Sequence, residues 1–96
     1  MEKITILLVD DHRLLRESWY GILNSDSHFR VVGDTGDGME AIKMTKNLEP
    51  DVVLMDLRMP GMDGVAATTQ IRRVCPGTHV LVLTTYDSDA DILRAV

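Results

Sequence analysis

The sequence predicts an α/β fold, a parallel sheet covered by helices on both faces, and two observations lead there. Three short apolar runs, Ile6-Leu7-Leu8-Val9, Val52-Val53-Leu54-Met55 and Val80-Leu81-Val82-Leu83, show no alternation with polar residues. Each is expected to be buried on both faces, as parallel strands sandwiched between helices are. Between them lie segments whose apolar residues recur at helical spacing. Strict strand–helix alternation calls for parallel pairing through right-handed crossovers.

The elements follow in order. After the first run, Leu15, Trp19, Ile22 and Leu23 mark one face of a helix near 13–25. Phe29-Arg30-Val31-Val32 is apolar but interrupted by Arg30, which suits an edge strand. Ala41, Ile42, Thr45 and Leu48 predict a helix near 38–49 that Pro50 ends. Ala67, Ile71 and Val74 repeat the pattern near 64–75, before the turn pair Pro76-Gly77. A last helix is expected to open at Asp87 or Ser88, with Ile92, Leu93 and Val96 as its apolar face. The run at 80–83 reads as a central strand, yet no fifth strand follows before Val96. Its edge would carry unpaired backbone groups, so either the natural chain continues or another molecule covers it, and continuation is the expectation.

Composition narrows the class. Ninety-six residues support one hydrophobic core and therefore one domain, 1–96. Fifteen acidic residues against ten basic ones leave a net charge of -5, a poor balance for gripping phosphate backbones. The one cysteine, Cys75, has no internal disulfide partner, which fits a reducing cytoplasm. No basic stretch followed by a long apolar core marks a signal peptide, and no run is long enough to span a bilayer. A soluble, cytoplasmic domain is expected.

In open parallel sheets the binding crevice lies beyond the C-terminal ends of the strands. Asp10 and Asp11 follow the first run, Asp56 follows the third, and Thr84 and Thr85 follow the fourth. If the first and third strands are neighbours, three carboxylates converge, and their mutual repulsion calls for a cation. A hard divalent ion such as Mg²⁺, held by oxygen ligands and water, answers that need. The same ion can offset charge during phosphoryl transfer, which lets a carboxylate act as nucleophile. A hydroxyl at Thr84 could then donate to a phosphoryl oxygen.

Structural readings compete for each residue. Asp11 could cap the first helix, Asp63 is expected to cap the third with Gly64 at the turn, and Asp56 could be a turn residue. A threonine ending a strand is also common by propensity, which applies to Thr84. His12 reads as a helix-start residue, and Arg16 as part of a solvated helix face. Met55, Met59 and Met62 read as packing. His28 and His79 flank strands and carry no signal. Singly, each aspartate is more often structural; together at adjacent strand ends they read as a site.

The residues resemble a known family. Leu8-Val9-Asp10-Asp11-His12, the stretch Val53-Leu54-Met55-Asp56-Leu57-Arg58-Met59-Pro60-Gly61-Met62-Asp63-Gly64, and Val82-Leu83-Thr84-Thr85-Tyr86 look like the receiver domains of two-component response regulators. Asp37-Gly38-Met39-Glu40-Ala41-Ile42 resembles the start of that family's second helix. Asp-Asp-His and Leu-Thr-Thr-Tyr look closest to NarL/FixJ (LuxR-type) transcription factors. The resemblance covers the whole chain and is specific in combination.

It implies a flavodoxin-like sheet of order 2-1-3-4(-5), whose fifth strand and helix, phosphate-binding lysine and aromatic switch residue lie beyond Val96. It implies that Asp56 is the phosphoacceptor. Asp10, Asp11, Asp56 and the backbone carbonyl of Arg58 would hold Mg²⁺, and Thr84 would be the switch hydroxyl. Pro60, Gly64 and Thr85 would shape the surrounding loops. The donor would be a sensor histidine kinase, a second copy of the chain is a candidate partner, and DNA would be met only by an absent C-terminal helix-turn-helix domain. The expected role is signalling, with no catalysis beyond the domain's own phosphoryl transfer and dephosphorylation.

Two rivals fare worse. An aspartate-nucleophile phosphohydrolase wants a second carboxylate two residues after Asp56, where Arg58 stands. A flavodoxin-like cofactor binder wants a Gly- or Ser/Thr-rich phosphate loop after the first strand, where Asp10-Asp11-His12 would repel a phosphate.

Overall fold

The computed structural model describes residues 2–57 and 64–83. Seven elements alternate along them: β1 (Ile4–Val9), α1 (Arg13–Asn24), β2 (Phe29–Thr35), α2 (Gly38–Leu48), β3 (Val52–Asp56), α3 (Gly64–Val74) and β4 (His79–Leu83). The strands form one sheet of order β2-β1-β3-β4. All three pairings are parallel. The expected architecture, strand order and edge placement of the Arg30 strand are all met. The helix expected from Asp87 or Ser88 lies outside the described residues.

Both faces of the central strands are buried. Leu7, Val9, Val53 and Met55 join Ala41 of α2 and Ala67 and Ile71 of α3 in one apolar cluster. Ile6 and Leu8 alternate to the other face, where Val31 and Leu54 complete a second cluster against Trp19 and Leu23 of α1. A period of two therefore divides β1 between two cores, which is why its sequence shows no polar alternation.

Some expected apolar contacts fail. Ile22 is 61% exposed, because it sits one helical step of about 100° from the inward Leu23. Leu48 and Val74, the last residues of α2 and α3, are also exposed. Leu81 and Val82 are exposed as well, so the expectation that every apolar run is buried on both faces does not hold for β4. The physical reason is place: β4 is the outermost strand of the described sheet, and the described elements enclose its faces less than those of β1 and β3.

Local chemistry sets the helix ends. Asp37 caps α2 by accepting from the Met39 N–H at 3.0 Å. The helix ends at Glu49, which adopts a left-handed conformation with φ 46° before Pro50. At the N-terminal edge of the sheet, Thr5 and Asp51 exchange three hydrogen bonds. Between β1 and β2 the register slips: Ile6 faces Val31 while Leu7 faces Gly33, so Val32 is an extra residue in the edge strand. None of the described helices is long and apolar enough to cross a membrane.

Candidate metal-binding and phosphoacceptor site

The site is built by register. Val9 of β1 pairs with Met55 of β3, so the next residues, Asp10 and Asp56, leave neighbouring strands side by side. Asp56 is the last residue of β3 and is 3% exposed; Asp10 is 8% exposed. One ligand atom from each of Asp10, Asp11, His12 and Asp56 can be chosen so that all lie within 4.8 Å of one another. The convergence expected of Asp10, Asp11 and Asp56 is therefore present.

Three carboxylates at that separation are costly. Two like charges 4.8 Å apart repel by about 3 kcal/mol at the effective dielectric of a protein surface. His12 supplies part of the balance. Its backbone N–H donates to Asp10 Oδ1 at 2.8 Å, and its Nδ1 lies 3.2 Å from that oxygen and 3.0 Å from Asp11 Oδ1. The hydrogen bond to Asp10 raises the His12 pKa above its ordinary value, and the charges of Asp11 and Asp10 add to the effect. His12 occupies the N-cap position of α1 without a side-chain capping bond, as a helix-start residue. That position excludes Asp11 as the cap.

A cation would complete the cluster. Asp11 Oδ1 is a buried oxygen that accepts no hydrogen bond from the described residues, a demand the imidazole 3.0 Å away does not meet in geometry. Carboxylate oxygens are hard ligands, and this donor set fits Mg²⁺ with water filling the remaining positions. Asp10, Asp11 and Asp56 are the described residues that would hold it. Arg58, Pro60, Thr84 and Thr85 lie outside the described residues, as do Met59, Met62 and the expected cap Asp63. The register does pair Asp56 with Leu83, the residue before Thr84.

Two features here were not anticipated. Arg16, expected on a solvated face, is only 18% exposed, and its Nη1 donates to the Asp10 carbonyl at 2.6 Å. A spacing rule places Arg16 on α1 but cannot see that the strand end passes beneath it. The sequence puts Gly64 at a turn, and the structure adds a steric demand. A Cβ there would lie 2.5 Å from both the Asp56 carbonyl oxygen and Leu57 Cα. The Gly64 N–H donates to the Leu57 carbonyl at 3.2 Å, docking the start of α3 directly onto the residue that follows β3.

Comparison with known proteins agrees with this geometry. The response regulator receiver domain model matches residues 6–96. Response regulator protein VraR of Staphylococcus aureus is 44% identical over 93 residues, covering 97% of this chain; the chain spans 44% of that relative's length. The signal receiver domain of the putative response regulator NarL from Mycobacterium tuberculosis superposes with a TM-score of 0.85 at 37% identity, covering 99% of this chain and 77% of that one. The isolated REC domain of RcsB from Salmonella enterica serovar Typhimurium, solved with phosphomimetic BeF3-, gives 0.82 at 29% identity, covering 98% and 70%. With its 2-1-3-4 parallel sheet and its paired strand-end carboxylates, the chain belongs to the response regulator receiver domain family, among relatives of the NarL and LuxR type.

Proposed function

We propose that this domain accepts a phosphoryl group on Asp56 from a sensor histidine kinase and relays that event to an output domain. The observation that most supports the reading is the placement of a nearly buried Asp56 carboxylate within 4.8 Å of those of Asp10 and Asp11. Such a cluster has little reason to persist unless a cation and an anionic partner are to meet there. The RcsB domain solved with phosphomimetic BeF3- is similar over almost the whole chain.

The reaction is an in-line displacement. An Asp56 oxygen attacks phosphorus of a phosphoimidazole, forming a P–O bond as the P–N bond breaks. The electron pair stays on the departing imidazole nitrogen, which takes a proton from water, and the product is an acyl phosphate on Asp56. Mg²⁺, when bound by Asp10, Asp11, Asp56 and the Arg58 carbonyl, supplies the positive charge that lets one anion approach another. Thr84 would donate its hydroxyl to a phosphoryl oxygen, with Pro60, Gly64 and Thr85 shaping the loops around it. Asp56 is consumed as a reactant, so the role is that of a signalling domain.

The wider protein is inferred in the same way. DNA binding would reside in a C-terminal helix-turn-helix domain outside this chain, the setting would be the cytoplasm, and a second copy is a candidate partner. Incubating the full-length protein with acetyl phosphate and Mg²⁺ should add one acid-stable, base-labile phosphoryl group. Stoichiometric incorporation by Asp56→Asn would remove Asp56 as the acceptor.

A further inference from the structure

We infer that Arg16 is a positioning residue that holds the Asp10–Asp11 turn in the shape that presents both carboxylates to a divalent cation; the inference rests on the metal role proposed above. Two arginines on α1 contrast sharply. Arg13 is 83% exposed and, among the described residues, pairs along its own helix with Glu17, a solvated i,i+4 contact. Arg16 is 18% exposed and reaches off the helix, its Nη1 donating to the Asp10 carbonyl at 2.6 Å and its Nε lying 3.7 Å from Asp34 Oδ1 of β2.

The carbonyl it holds belongs to the peptide that joins Asp10 to Asp11. A peptide unit is planar, so fixing that oxygen restrains ψ of Asp10 and φ of Asp11 together. The preceding peptide is held from the other side, because the Asp10 N–H donates to the Thr35 carbonyl at 3.0 Å. Gly36 leaves the space for this arrangement. A Cβ at 36 would stand 2.8 Å from Arg16 Nη1 and 3.3 Å from Asp11 Cα. The guanidinium thus joins α1 to the end of β1 and lies beside Asp34 of β2, at the peptide that connects two of the three carboxylate residues.

Charge and hydrogen bonding make opposite demands, which makes the inference testable. A cation beside a cation site should weaken metal binding, so its removal on electrostatic grounds alone should tighten it. A residue that orients the ligands should, when removed, weaken binding; outer-shell partners of metal ligands typically carry about 10- to 100-fold in affinity. The test is calorimetric titration of full-length protein with MgCl2 at fixed ionic strength, well below the melting temperature. There a role confined to stability would leave the dissociation constant unmoved.

Arg16→Met keeps the apolar stem and removes every donor, and it should raise the Mg²⁺ dissociation constant about tenfold. Arg16→Lys keeps the charge but has a point donor in place of the planar fork, and it should raise the constant about threefold. An Arg16→Met protein that binds Mg²⁺ as tightly as the wild type, or more tightly, overturns the inference. If that variant does not fold, Arg16→Lys decides, and wild-type affinity there overturns it. A wild-type protein that binds no Mg²⁺ would be a different result, sinking the proposed function itself.

Discussion

Thr5 and Asp51 hold one another in both directions across 46 residues of chain. The Thr5 N–H and hydroxyl donate to Asp51 Oδ2 at 2.9 and 3.1 Å, and the Asp51 N–H donates to Thr5 Oγ1 at 2.9 Å. The Asp51 carbonyl in turn accepts from the His79 N–H at 3.0 Å. Three neighbouring strands are thereby aligned at the end of the sheet opposite the carboxylate cluster, which sets the register that brings Asp10 beside Asp56.

This clamp predicts an acid-sensitive component of stability. The Thr5 N–H, and after it the Thr5 hydroxyl, hold the Asp51 pKa below its ordinary 3.8. A carboxylate depressed in the folded state stabilises fully above its unfolded value, and that stability is lost as pH falls through the lower folded value. Asp51→Asn should therefore lower the urea midpoint at neutral pH and flatten its decline below about pH 4. Parallel acid limbs in the two proteins would show that the clamp does not titrate with folding.

The carboxylate cluster predicts a crossed effect of metal. Asp11→Asn relieves repulsion, so the metal-free variant should be more stable than the wild type by about 1 kcal/mol after solvent screening. With Mg²⁺ at one hundred times its dissociation constant the wild type should gain about 2.7 kcal/mol, and the variant little. Thermal melts with and without MgCl2 check both signs, and equal metal-induced shifts would count against Asp11 as a ligand.

At Gly64 the obstacle to a side chain is backbone. Gly64→Ala forces a Cβ against the Asp56 carbonyl and Leu57 Cα, each 2.5 Å away, neither of which can rotate aside. A loss of about 2–3 kcal/mol is expected, at the upper end of overpacking. Chemical denaturation measures it, and a neutral result would mean that α3 can shift on the sheet without cost.

Glu49 invites the opposite change. Its left-handed conformation after α2 is one that glycine adopts without penalty. Glu49→Gly should raise stability by about 0.5–1 kcal/mol, the relief of strain exceeding the entropy that glycine adds to the unfolded chain. A lowered urea midpoint would show that entropy dominates.

The legible part of this molecule is periodic. The apolar runs around Leu7 and Val53 carry no polar interruption because both faces are buried, and Arg30 marks an edge because an edge tolerates it. Asp10, Asp11 and Asp56 could be placed together because strand ends converge once β1 and β3 are neighbours. Periodicity could not supply contacts between elements. Arg16 on α1 and Gly36 after β2 meet at one carbonyl only in three dimensions, and Ile22 differs from Leu23 by a single helical step. The reciprocal bonds of Thr5 and Asp51 join residues whose separation in sequence carries no pattern.

The extra residue at Val32 also bears on what the sheet does in company. An outer strand with regular spacing is a template to which another chain can add, repeat by repeat. β2 breaks that spacing at Val32, and it carries the exposed Arg30 shortly before. A strand arriving along β2 would match its hydrogen bonds on one side of the irregularity and miss them on the other. That flank of the sheet is therefore guarded against fibrous growth by a one-residue misfit.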